Sequence, residues 1–253
     1  MQINLLGSLE VVDEGISLSI PGEKLRAILA VLALTPGSPV SRDDLIDELW
    51  AEDPPRNAEN SLQGHVARLR RILADRTGRD SLRSVVQTSY TGYTLALPPN
   101  DVDALRFHDL VLRAETVQEA QPRRAVDLLT EALGYWRGPA LLDTGQGMIC
   151  RMAYARLAEI RLTARERLFD AKLALDMHRF VITELEQLHA QYPLRERFCE
   201  QLMTALYRSG RQADALDAYH RTRQRLSQDL GLEPGRALRD KFHEILRQDP
   251  ALL

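Results

Sequence analysis

Over the first twenty positions apolar residues alternate with polar ones: Ile3 and Leu5, then Leu9 and Val11, then Ile16, Leu18 and Ile20. A period of two belongs to strands with one buried face. Gly7 and the Asp13-Glu14-Gly15 cluster supply the turns between them. After Pro21-Gly22 the period changes. Leu25, Ile28, Leu29 and Leu32 follow one face of a helix, and Thr35-Pro36-Gly37 stops it. Ser41, three residues before Asp44, reads as a capping box with Asp in place of Glu. The second helix then presents Leu45, Ile46, Leu49 and Trp50 until Pro54-Pro55 breaks it. A third helix begins at Asn57 or Ala58 and buries Leu62, Val66, Leu69 and Leu73. At about 100° per residue the opposite face carries Asn60, Gly64, Ala67, Arg68 and Arg71, with Ser61 and His65 on the flanks and Arg70 toward the side.

Beyond a break at Gly78, Val85-Val86 starts an extended stretch. Tyr90-Thr91-Gly92-Tyr93 is a tight turn, and Thr94 to Leu97 returns as a strand, which predicts a β-hairpin with Gly92 supplying a positive φ. Pro98-Pro99-Asn100 reads as a stiff linker. From Asp101 onward the pattern is helical, with helices expected over 101–119, 122–136, 149–176, 179–191, 194–209, 211–229 and 235–247. Leu175 to Arg179 aligns with Tyr207 to Arg211 at an offset of 32 residues, each between two helices. Ala213, Ala215, Leu216 and Tyr219 follow, as in the tetratricopeptide turn, where small residues let helices pack closely. Such arrays suit protein partners, a plain helical bundle being the alternative. Met148, Met152, Met177 and Met203 fit core packing better than a cofactor box.

Charge alters this picture. The 253-residue chain has a net charge of −3, which taken whole argues against a nucleic-acid binder. Its distribution argues otherwise. The first 53 residues hold three cations against ten carboxylates, a net of −7. Residues 54–100 hold seven arginines (Arg56, Arg68, Arg70, Arg71, Arg76, Arg79 and Arg83) against three carboxylates, a net of +4, and the rest is neutral. A basic block inside an acidic protein is an interaction signal, although a solvated arginine-rich face would look the same. Two helices, a break and a hairpin make a winged helix-turn-helix. Its arginine-bearing helix can enter a major groove while the wing tip at Tyr90 and Thr91 touches the adjacent backbone or minor groove. Arg68 and Arg71, one turn apart, can reach guanine O6 and N7 or phosphates. Asn60 and Ser61 can serve near the positive end of the helix dipole, and Gly64 allows close backbone approach.

Catalytic patterns are missing. Six histidines show no HExxH or clustered ligand spacing, no Gly-x-Ser-x-Gly elbow occurs, and Gly145-Gln146-Gly147 lacks the strand and the lysine-serine pair of a phosphate cradle. Two distant cysteines, Cys150 and Cys199, provide neither a disulfide framework nor a zinc site. No catalytic residue, metal or cofactor is expected. The longest apolar run, Ala27 to Leu34, is eight residues against the ~20 needed to cross a bilayer, and no charged-then-apolar leader precedes it. A cytoplasmic, nucleoid-associated location without membrane contact is expected.

Particular residues carry a family resemblance. They are Leu5-Leu6-Gly7, Leu45 through Trp50, Asn57-Ala58 with Ser61-Leu62, His65-Val66 and Arg68-Leu69-Arg70, Gly92-Tyr93, Val102-Asp103 with Phe107, Trp136-Arg137-Gly138 with Leu141, then Glu159, Pro193 and Leu206 through Leu216. Together they resemble the Streptomyces antibiotic regulatory proteins (SARPs), short form, over essentially the whole chain. The resemblance implies an OmpR/PhoB-like α+β winged helix over 1–98 and an all-α, tetratricopeptide-like bacterial transcriptional activation domain over 101–250. It implies an activator of a secondary-metabolite gene cluster that binds direct repeats near the −35 element as a head-to-tail pair and recruits RNA polymerase with its principal sigma factor. Asn60, Ser61, Gln63, Gly64, Arg68, Arg71, Tyr90 and Thr91 would face DNA. Glu52, Asp53, Pro54, Pro55, Arg56 and Asn57 match the polymerase-contacting loop. Gln63 stands where many members carry arginine and Gly64 where many carry threonine. The competing reading is a helical-repeat adaptor whose winged domain is vestigial; salt-sensitive DNA binding separates the two.

Overall fold

The computed structural model describes residues 1–77, 84–145 and 147–249. Gly78, Arg79, Arg83, Gln146 and the side chain of Arg76 lie outside the described residues. The chain forms two compact units, one of Met1–Leu112 with Thr130–Leu162 and one of Arg113–Leu129 with Thr163–Leu253.

The first unit opens with an antiparallel sheet of β1 (Gln2–Asn4), β2 (Glu10–Asp13) and β3 (Ile16–Leu18), with Ile3 opposite Val11 and Val11 opposite Leu18. Ile3, Val11 and Leu18 are buried. Ile16 departs from the expected alternation: it sits beside the Glu14-Gly15 turn and is exposed. Helices α1 (Glu23–Leu34), α2 (Arg42–Trp50) and α3 (Ala58–Thr77) follow. A second sheet has the order β4-β6-β5, from β4 (Val40–Ser41), β5 (Val86–Thr88) and β6 (Gly92–Leu95). The two-residue β4 is too short for periodicity to reveal. The expected linker is instead a 3₁₀ turn over Pro99–Asp101.

That turn leads into α4 (Asp103–Val117). The buried Asp103 carboxylate accepts the backbone N–H groups of Leu5 (2.6 Å) and Leu6 (3.0 Å), at the end of β1. Burial holds its pKa above the ordinary value even against those two bonds and Arg137. Ile3 bridges Val102, Leu141 N–H donates to Leu5 O, and Asp143 accepts Leu9 N–H at 2.7 Å while pairing with Arg26. Phe107 and Trp136 meet edge to face at 5.4 Å. Within the first unit these bonds hold Val102, Asp103, Leu141 and Asp143 against β1 and the turn that follows it.

α4, α5 (Pro122–Gly134) and α6 (Met148–Ala174) each contribute residues to both units. The unit is completed by α7 (His178–Gln191), α8 (Glu196–Arg208), α9 (Gln212–Leu230) and α10 (Arg236–Arg247). The expected helices are all present, with ends shifted by one or two residues. The repeat is sharper than the sequence alignment made it. Asp176 and Gly210 both adopt the left-handed conformation, at φ 56° and 79°. Met177 N–H donates to Lys172 O and Arg211 N–H to Leu206 O, closing the same helix-ending turn twice. Equivalent positions are 34 residues apart, not 32, which is the tetratricopeptide period. Ala215 and Ala218 supply the close packing, while Ala213 is exposed. Of the methionines, only Met203 is core. Met148 and Met152 are 59% and 65% exposed, contrary to the expectation of core packing.

Between α7, α8 and α9 lies a buried polar cluster. Thr222 Oγ1 is 3.0 Å from Ala218 O, 3.1 Å from Cys199 Sγ and 3.3 Å from His189 Nε2. Burial, with Arg221 nearby, holds the His189 imidazole below its ordinary value of 6.5. The unfolded chain therefore binds this proton more readily. The resulting contribution to stability is complete above pH 6.5 and is lost as pH falls toward the depressed folded value. The unfolding midpoint of the wild type is expected to drop between pH 7.5 and 5.5 more steeply than that of His189→Leu. Equal slopes in urea titrations would remove His189 as the cause.

Candidate nucleic-acid interface

The recognition element is built from α2, the turn after it and α3. Ser41 caps α2: its hydroxyl accepts Asp44 N–H at 3.0 Å and donates to Asp44 Oδ2 at 2.6 Å. The shorter Asp takes the hydroxyl rather than reaching back as Glu would. Ala51, with φ 48°, ends the helix in a turn closed on Asp47 O. Glu52, Asp53, Pro54, Pro55, Arg56 and Asn57 are all exposed in the following loop, where two prolines prevent α2 from continuing.

α3 buries Leu62, Val66, Leu69 and Leu73 completely or nearly so, as its periodicity predicts. That fixes the outward face: Asn60, Gln63, Gly64, Arg68 and Arg71 are exposed and Ser61 is half-buried. Among the described residues, neither Arg68 nor Arg71 has a carboxylate partner. No atom lies within 4 Å of where a Gly64 Cβ would stand, so the surface above the helix is open. On the flank, His65 packs against Trp50 at 6.0 Å between ring centroids, and Lys24 Nζ lies 4.4 Å over the same indole. Burial first, then Lys24 and Arg68, hold His65 below its ordinary value, so it favours the neutral ring.

Arg70 has a different role from its neighbours. Its place on the side of α3 suggests solvent or an inter-domain salt bridge. Instead its Nε donates to Val86 O at 2.7 Å and its NH2 to Thr88 Oγ1 at 2.9 Å, with the guanidinium 5.9 Å over Tyr93. It clamps α3 to the hairpin. Only its place on the helix side hinted at this, because the partners lie sixteen and eighteen residues away. The hairpin projects Tyr90, 98% exposed, and Thr91 beside it, with Ser89 N–H bonded to Gly92 O. Gly92 does not have the positive φ expected of it. It is a glycine because β6 runs against β4. A Cβ there would fall on the Val40 carbonyl oxygen, 2.8 Å from its carbon and 2.9 Å from Ser41 Cα.

The acidic block is also not all surface. Glu48 is buried, and its carboxylate accepts the N–H groups of Ile149 (2.6 Å) and Cys150 (3.1 Å) in the first turn of α6. A Cβ at Gly147 would overlap that carboxylate. Asp13 is buried as well. On α2 and its loop the exposed carboxylates are Asp43, Asp44, Asp47, Glu52 and Asp53, and Glu14 and Glu23 are exposed earlier in the block.

Residues 20–95 match the family described as transcriptional regulatory protein, C terminal, and residues 102–246 match the bacterial transcriptional activator domain. The transcriptional regulator RedD of Streptomyces coelicolor is 45% identical over 252 residues, covering 100% of this chain and 72% of RedD. The regulatory protein DnrI of Streptomyces peucetius is 37% identical over 259 residues, covering 100% of this chain and 94% of DnrI. The chain belongs to the SARP family of transcriptional activators. The SARP fold is also that of Mycobacterium tuberculosis EmbR, solved in complex with a low-affinity phosphopeptide. The TM-score is 0.92 at 36% identity, over 98% of this chain and 65% of EmbR. A SARP binds DNA and activates transcription, and the relatives are named as regulators rather than as enzymes. Among the described residues no helix of this SARP is long and apolar enough to cross a membrane.

Proposed function

We propose that this SARP activates a secondary-metabolite gene cluster from direct repeats near the promoter −35 element, acting at the nucleoid in the cytoplasm. In this reading Arg68 and Arg71 make the main groove contacts. Asn60, Ser61 and Gln63 assist at the start of α3, Gly64 admits the DNA backbone, and Tyr90 and Thr91 meet it at the wing tip. The exposed loop Glu52 to Asn57 faces RNA polymerase with its principal sigma factor. Functionally, residues 1–98 read DNA and residues 101–250 form the activation domain. Two copies lie head to tail, because a direct repeat presents the same face twice in one direction.

The observation that carries this reading is the pair of arginines without carboxylate partners among the described residues, on the solvent face of a helix clamped to its wing. An arginine held for stability alone would be expected to meet a carboxylate or a carbonyl, as Arg70 does. Footprinting on the intergenic regions beside the gene tests it. Protection of a tandem repeat is expected, with affinity falling steeply as salt rises from 50 to 200 mM because phosphate contacts release counterions. Binding that ignores salt, or no protected site, would favour the adaptor reading.

A further inference from the structure

The first compact unit carries a cleft of about 330 Å³ that DNA recognition does not use. Its floor is Ala140, Leu141 and Cys150, all buried, and Leu142 and Tyr154 stand exposed at its lip. Leu141 holds a left-handed φ of 55°, which a γ-branched side chain rarely takes. Two bonds to the turn between β1 and β2 keep it there, Leu141 N–H to Leu5 O and Leu142 N–H to Gly7 O. The result leaves apolar surface in water at the lip of the cleft: Leu142 is 61% exposed. Leu142 and Tyr154 stand exposed on the same concavity, and apolar exposure gathered in a cleft marks a binding site.

Charge narrows the occupant. Arg151, in the first turn of α6, also lines the cleft, and among the described residues it has no carboxylate partner. The carboxylate of Glu48, which holds the floor residue Cys150, is occupied by the N–H groups of Ile149 and Cys150. Burial and Glu48 push the Cys150 thiol up to about 12, so the floor is a neutral thiol and not a nucleophile. A pocket of this volume is of small-molecule size.

We propose that this cleft binds a small aromatic carboxylate. Its ring lies on Ala140, Leu141 and Cys150 beside the Tyr154 ring, and its carboxylate pairs with the Arg151 guanidinium. The site adjoins the turn whose N–H groups hold Glu48 of α2, so an occupant packs against the joint between the helix-turn-helix and α6.

The test uses the full chain without DNA, so its outcome is independent of operator recognition. Calorimetric titration with 2-naphthoate is expected to show saturable one-site binding about fivefold tighter than that of neutral 2-naphthylmethanol, the ratio for a partly exposed ion pair. Amide exchange at Ile149 and Cys150 is expected to slow on binding. Arg151→Gln, at an exposed helix position, is expected to fold normally and to abolish the preference for the carboxylate, while Tyr154→Ala weakens both probes. The proposal is overturned if neither probe saturates, or if the preference persists in Arg151→Gln, which would place the binding elsewhere.

Discussion

Gly92→Ala is expected to destabilise the first compact unit by about 3 kcal/mol and to abolish promoter binding in the same stroke. The added methyl group would collide with the backbone of Val40 and Ser41, not with the end of a flexible side chain. The only relief is to part β4 from β6. That moves Ser41, which is both the partner of Gly92 in the sheet and the cap of α2. Urea titration followed by far-ultraviolet circular dichroism measures the loss. Gly64→Ala is the matched control. Its Cβ meets nothing within 4 Å, so stability is expected to hold or to rise by up to about 1 kcal/mol from helix propensity. If the DNA backbone approaches α3 at this point, the control loses affinity while keeping its fold. A Gly92→Ala protein with wild-type stability would show that the sheet relaxes without penalty.

The second large effect concerns Arg68 and Arg71. Each substitution to alanine is expected to weaken operator binding by about 1–3 kcal/mol where the side chain reads a base. Both side chains are exposed, so unfolding is not expected to contribute. Gel-shift titrations on the operator and on an unrelated fragment separate the two possible roles. A base reader loses the specific complex and relaxes specificity. A phosphate contact weakens both complexes alike and lowers the salt slope by about 0.9. Unchanged binding in the doubly substituted protein would end the assignment of α3 as the recognition helix.

Local order was plain in the sequence wherever one element decided it. Leu62, Val66, Leu69 and Leu73 repeat at helical spacing, so the outward face of α3 followed without any knowledge of the fold. The proline and glycine breaks placed the helices of the second half to within one or two residues. What escaped was set by partners distant in sequence. Nothing local marks Glu48 or Asp103 as buried, because their N–H partners lie about a hundred residues away. Gly92 read as a turn glycine because the chain pressing on it is β4, fifty residues earlier. Met148 and Met152 read as core because apolar side chains usually are, and nothing local shows that their face of α6 is left open. The repeat offset was misjudged because the alignment matched residue types, whereas the left-handed position is filled by Asp176 in one copy and Gly210 in the other.

The clamp made by Arg70 has a mechanical consequence for the proposed complex. With Val86 and Thr88 tied to α3, the separation between helix and wing tip is set before any DNA arrives. The reader is then a stiff two-pronged gauge, and the duplex must supply whatever bending or groove narrowing brings both prongs into contact. Sequences between the contacted bases would be selected by how readily they deform, although no side chain touches them.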